Sequence, residues 1–106
     1  MPNLWGHPYD FFADESVTVG AASTALTAAT FTPTTALGPA QFALITVETD
    51  QVRIRFTGDA AAAGATHLLN VGDSAELHGL QNIRNFRAIR VTGDATLRVS
   101  YGRPRR

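Results

Sequence analysis

An all-β fold, a β-sandwich or barrel of about seven to eight short antiparallel strands with an irregular N-terminal arm, is what this sequence predicts. Three observations carry that expectation. Apolar residues recur with a period of two in Val52, Ile54 and Phe56, in Ile89 and Val91, and in Leu97, Val99 and Tyr101, which is the signature of strands with one buried face. Glycine-containing turn signals such as Gly72-Asp73 and Gly93-Asp94 separate the runs at short intervals. The three-to-four-residue period of an amphipathic helix is nowhere convincing.

Length and composition set the bounds. With 106 residues the chain suits a single domain with a real core. It has no cysteine, so neither a disulfide framework nor a thiolate metal site is available. Basic and acidic residues balance at nine each, which argues against a nucleic-acid binder working by phosphate neutralisation. All nine cations are arginine; the planar guanidinium fork suits ordered contacts with carboxylates, although a genome rich in G and C would also favour Arg and Ala codons. No run approaches the roughly 20 apolar residues of a membrane helix. The first residues lack the charged start and long apolar centre of a signal peptide, so the chain is expected to be unprocessed.

In chain order, residues 1–15 form the arm, 16–102 the β-domain and 103–106 a frayed basic tail. The arm has no clear period and contains Pro2, Gly6 and Pro8, yet it holds Trp5, Tyr9, Phe11 and Phe12, four of nine aromatic residues. Those rings need a cover, either this subunit's own core or a neighbouring chain, where aromatic anchors are typical. Residues 16–33 read as two short β runs, SVTV and TALTAATF, and residues 34–40 as a surface loop.

Residues 41–57 read as a hairpin. QFALITVET suits a strand covered on both faces, and Val52, Ile54 and Phe56 alternate with Arg53, Arg55 and Thr57. The run AAAAGA is a loop, and His67 to Leu80 gives two further short strands. Phe86 to Tyr101 is the clearest hairpin, with Gly93 in the first position of a type II′ turn that needs a positive φ. The segment from Ile54, IRFTGDA, recurs from Ile89 as IRVTGDA; the match is short, and shared strand and turn chemistry would produce it without duplication. The expected core is Ile45, Val47, Val52, Ile54, Phe56, Leu77, Ile89, Val91, Leu97 and Val99.

Residues able to carry chemistry are sparse, and no enzyme is expected. There is no Gly-x-Ser-x-Gly elbow and no phosphate-binding glycine loop. Glu76 and His78 would share a strand face with His67 nearby, a set that could hold zinc, but solvated polar residues on an edge strand are the more economical reading, and no metal or cofactor is expected. The acids Asp50, Asp59, Asp73 and Asp94 fit turn-capping roles. Arg53, Arg55, Arg87 and Arg90 are solvated strand-face residues or contacts to a partner's carboxylates; with Phe86 as the one nearby aromatic, nucleic-acid stacking is poorly served. The candidate partner-binding residues are therefore Trp5, Tyr9, Phe11, Phe12, Arg53, Arg55, Arg87 and Arg90.

One likeness goes further. ALITVET from Ala43, VRIRF from Val52, HLL from His67, Gly72-Asp73, Glu76-Leu77, Asn82-Ile83, FRAIR from Phe86 and ATLRVSY from Ala95 together resemble small β-rich virion structural proteins of tailed bacteriophages and prophages. The likeness spans residues 42–101 and leaves residues 1–41 outside. It implies a capsid decoration or cement protein that binds the major capsid protein on the outside of an assembled head, commonly as a trimer at a symmetry axis. Its place would be the capsid surface of the virion, after synthesis in the host cytoplasm. The alternatives are a head-to-tail or tail component and, from another class, a carbohydrate-binding β-sandwich. The last is expected to expose aromatic rings on a sheet face, whereas Trp5 and Tyr9 are assigned to the arm.

Overall fold

Two four-stranded antiparallel sheets face each other in the computed structural model, which describes residues 9–33, 38–58 and 67–104. The elements in chain order are β1 (Tyr9–Val19), β2 (Thr24–Ala25), α1 (Ala28–Phe31), β3 (Phe42–Glu48), β4 (Val52–Arg55), β5 (His67–Leu69), β6 (Ser74–His78), α2 (Leu80–Asn85), β7 (Arg87–Arg90) and β8 (Ala95–Pro104). The first sheet runs β1-β8-β3-β6 and the second β2-β7-β4-β5. The fold is thus all-β as expected, and of the two expected architectures it is the sandwich, with eight strands among the described residues. No helix among the described residues is long and apolar enough to cross a membrane.

The core lies between the sheets and follows strand alternation. Val17 and Val19 of β1, Ala43, Ile45 and Val47 of β3, Val52 and Ile54 of β4, Leu77 of β6, and Leu97, Val99 and Tyr101 of β8 meet there. Ile83 of α2, Phe86 and Phe31 close its ends. Each buried large side chain contributes roughly 1.5–3 kcal/mol relative to exposure, so it is this shared layer that holds the two sheets together.

The two expected hairpins are corners between sheets instead. β3 belongs to the first sheet and β4 to the second; β7 belongs to the second and β8 to the first. A corner and a hairpin look alike in sequence, because each joins two alternating strands through a polar turn. Only the partner strand tells them apart. Gly93 does not hold the positive φ of a type II′ turn, while Gly58, in the matching segment, has φ +89°. Val91 N–H donates to Gln51 O at 3.4 Å and ties the two corners together, while Arg90 N–H donates to Gly20 O at 3.0 Å and ties the end of β7 to the β1–β2 connection.

The two copies of the repeated segment are neighbours but not equivalents. β4 and β7 pair antiparallel with Ile54 opposite Ala88 and Arg53 opposite Ile89, so Ile54 faces the core and Ile89 faces out. Phe86 and Ala88 fill the place expected for Ile89 and Val91; Val91 is 39% exposed and Phe56, also expected inside, 38%.

The N-terminal boundary also moves. Residues 9–15, expected in an irregular arm, belong to β1, which pairs with β8 from Tyr9↔Pro104 to Val19↔Ala95. A register irregularity between Phe11 and Ala13 inserts an extra residue and so hides the two-residue period. For the same reason Arg103 and Pro104 are strand residues of β8 rather than a loose tail. TALTAATF yields only the two-residue β2 and then α1, since its alanines permit a turn of helix. Strand β3, expected to be covered on both faces, has one buried face and one partly covered.

Candidate functional site

The two outer faces of the sandwich hold the candidate binding residues, and they differ in chemistry. On the first sheet, the pairings Phe11↔Gly102 and Gly102↔Phe42, followed by Phe42↔His78, set one row across four strands. Gly102 has no side chain, so the rings of β1 lie over it and reach β3. Tyr9 stacks on Phe42 with centroids 4.7 Å apart, and Phe11 meets the same ring edge-on at 5.8 Å. A Cβ at Gly102 would stand 3.1 Å from the Tyr9 Cβ and 3.2 Å from the Asp10 carbonyl oxygen. The glycine is needed for that close approach.

Beneath its neighbours Phe42 is only 1% exposed. The Tyr9 hydroxyl lies 3.4 Å from His78 Nδ1, and His78 Nε2 lies 3.3 Å from Glu76 Oε1. Beside this aromatic end is an open groove of about 280 Å³ lined by Asp14, Glu15, Ser16, Arg98, Val99 and Ser100. Arg98 is held in place there, donating from Nη1 to Ser16 Oγ at 2.7 Å and from Nε to Glu48 Oε1 at 3.2 Å.

Glu15 turns inward from β1. Its Oε2 accepts from the Tyr101 hydroxyl and from Thr27 N–H, the latter at 3.2 Å. Tyr101 is fully buried; that burial first, then the bond to Glu15 and its charge, push the tyrosine pKa well above its usual 10.0. The pair is structural: a carboxylate pointing inward on an edge strand discourages further strand pairing there.

The second sheet presents arginine. Arg55 stands directly opposite Arg87 across β4 and β7, and Arg53 stands opposite Ile89 on one side and Leu68 on the other. Arg87 donates from Nη1 to the carbonyl oxygens of Arg84 and Phe86, both at 2.7 Å. Arg90 is separate from this set. It stands opposite buried Val52 and is paired with Asp94 at 2.6 Å.

Of the residues expected to bind a partner, then, Arg53, Arg55 and Arg87 share one face and Tyr9 and Phe11 the other. Phe12 packs under the Arg103 guanidinium, 3.7 Å from the ring centroid, and against the core. The described arm aromatics thus pack on this chain itself, with Tyr9 and Phe12 partly covered and Phe11 still 40% exposed. Trp5 lies outside the described residues. Sequence reasoning read His78 and Arg98 as solvated strand-face residues and gave Gly102 no role; it read QFALITVET as covered on both faces but did not connect Phe42 with the rings of the arm, because the pairing that brings Tyr9 and Phe11 over it is not contained in local spacing.

The set His67, Glu76 and His78 does not assemble. His67 is on β5 of the second sheet, whereas Glu76 and His78 are on β6 of the first, and among the described residues no three metal-ligating side chains come together. Compared with protein-family models, curated proteins and solved structures, the chain finds no match in any of the three.

Proposed function

We propose that this chain is a non-enzymatic structural protein of a tailed-phage virion, a capsid decoration protein that binds the major capsid protein on the outside of the assembled head. The observation that carries the reading is the resemblance of residues 42–101 to small β-rich virion proteins. Those residues include β3 to β7 entire and most of β8, so the likeness covers the body of the sandwich rather than a peripheral loop. In this reading the protein works by surface contact, as a homo-oligomer with the trimer favoured, and needs no cofactor.

The direct test is to mix purified protein with mature heads, immature heads and isolated tails of the source phage and sediment each mixture. Saturable co-sedimentation with heads is expected. Association with tails alone would move the protein to the tail or the head-to-tail junction, and protein left in every supernatant would end the virion reading.

One observation favours a second reading, a carbohydrate-binding sandwich. Tyr9 and Phe11 lie on the outer face of the first sheet beside a polar groove, the aromatic-plus-polar arrangement such a site needs. Retention on polysaccharide columns, abolished by Phe11→Ala, would support it.

A further inference from the structure

The strands of the second sheet contain four arginines and no carboxylate, while those of the first contain five carboxylates and two arginines. A chain of zero formal net charge is thereby divided into two sheets of opposite sign. Within the basic sheet, Arg55 and Arg87 are direct cross-strand partners. Their Cβ atoms are therefore about 4.5–5.5 Å apart on one face, where like charges oppose folding. Neither forms an ion pair among the described residues. The two carbonyl bonds of Arg87 use only Nη1, so its guanidinium is held in place with Nε and Nη2 still available.

We propose that the outer face of the second sheet docks a carboxylate-rich segment of another protein, gripped between Arg55 and Arg87 with Arg53 alongside. Leu68, 41% exposed, and Ile89 form the apolar margin of the site. The inference rests on the protein-binding role proposed above and says which face carries it. Two guanidinium forks side by side match the planar, bidentate geometry of carboxylates, and a bound carboxylate removes the repulsion that the free protein bears. Phosphates of a nucleic acid fit less well, because the residues between the arginines are aliphatic and offer no stacking row.

The test uses the full chain, labelled with ¹⁵N and titrated at low salt with a hexaglutamate peptide. Saturable shifts confined to β4, β7 and β5 are expected, weakening as salt rises. Arg55→Glu is informative because it creates an opposite-charge pair with Arg87: it should raise the melting temperature while weakening peptide binding at least about tenfold. Arg55→Gln should weaken binding without the stabilising pair. No saturable binding, shifts centred on the first sheet, or unchanged affinity in both variants would overturn the inference. So would tighter binding of a single-stranded hexanucleotide, or the same shifts produced by protein concentration alone, which would make the occupant a second copy. Wild-type protein that binds the peptide but no phage head would sink the virion reading and leave this one standing; head binding unaffected by Arg55→Glu would do the reverse.

Discussion

Gly93→Ala places a methyl carbon in the corner between β7 and β8, where it would lie 2.6 Å from Oδ2 of Asp50 in the facing corner. That is far inside the roughly 3.5 Å at which such atoms begin to attract. Asp50 must swing away and lose the bond its Oδ1 accepts from Gln51 N–H at 2.8 Å, or the corner must shift. The lost bond costs about 0.5–1.5 kcal/mol and forced repacking about 1–3 kcal/mol. Restricting the unfolded chain returns about 0.4–1 kcal/mol, since Gly93 does not hold a positive φ. The net expectation is roughly 1–2 kcal/mol of destabilisation, with the melting temperature lowered about 4–8 °C per kcal/mol. In an Asp50→Ala background the obstacle is gone, and Gly93→Ala should be neutral or mildly stabilising. Urea unfolding of the four proteins, followed by far-ultraviolet circular dichroism, measures the coupling. Gly58→Ala is the control: its φ of +89° puts the strain in the backbone, so removing the nearby Asn85 side chain should not rescue it. Additivity of Gly93→Ala and Asp50→Ala within about 0.5 kcal/mol would refute the packing of the two corners.

Three further outcomes are expected. Ile54→Ala, at a site 2% exposed, should cost about 2–5 kcal/mol, and Ile89→Ala on the outer face clearly less; equal losses in chemical denaturation would contradict the β4–β7 register. Stability should hold below pH 10 and fall above it, by up to about 1.4 kcal/mol per pH unit, because the native Tyr101 keeps a proton that the unfolded chain releases near its usual 10.0. Tyr101→Phe should flatten that alkaline limb, and an unchanged slope would assign it to another group. Deleting residues 1–12 removes Tyr9 and Phe11 from Phe42 and Phe12 from Arg103, so thermal melting should shift downward before any binding is lost; an unaltered melting curve would show that these rings contribute nothing within the chain.

Strand existence was legible because β-branched and apolar residues alternate in β3, β4 and β8 regardless of which strand they pair with. Pairing was not legible. Nothing in Val52-Arg-Ile-Arg or Arg87-Ala-Ile-Arg states that the two lie side by side, and in β7 it is the small Ala88, opposite Ile54 and two residues on from buried Phe86, that faces inward. The face of a strand four residues long is settled by volume as much as by period. Strand β1 was concealed by its irregularity at Phe11–Ala13, and α2 by its shortness, with Ile83 alone buried. As for the binding surface, spacing alone puts Arg53 and Arg55 on one strand face and Arg87 and Arg90 on opposite faces, but the pairing that sets Arg87 beside Arg55 is a matter of cross-strand register, which sequence spacing does not contain.

The proposed attachment to the outside of a phage head can be seen or refuted by electron cryo-microscopy of source-phage heads saturated with the purified protein. Added density is expected on the outer capsid surface at symmetry axes, fitted by the sandwich with its arginine-bearing sheet against acidic residues of the shell. Heads indistinguishable from undecorated controls at saturating protein would contradict it.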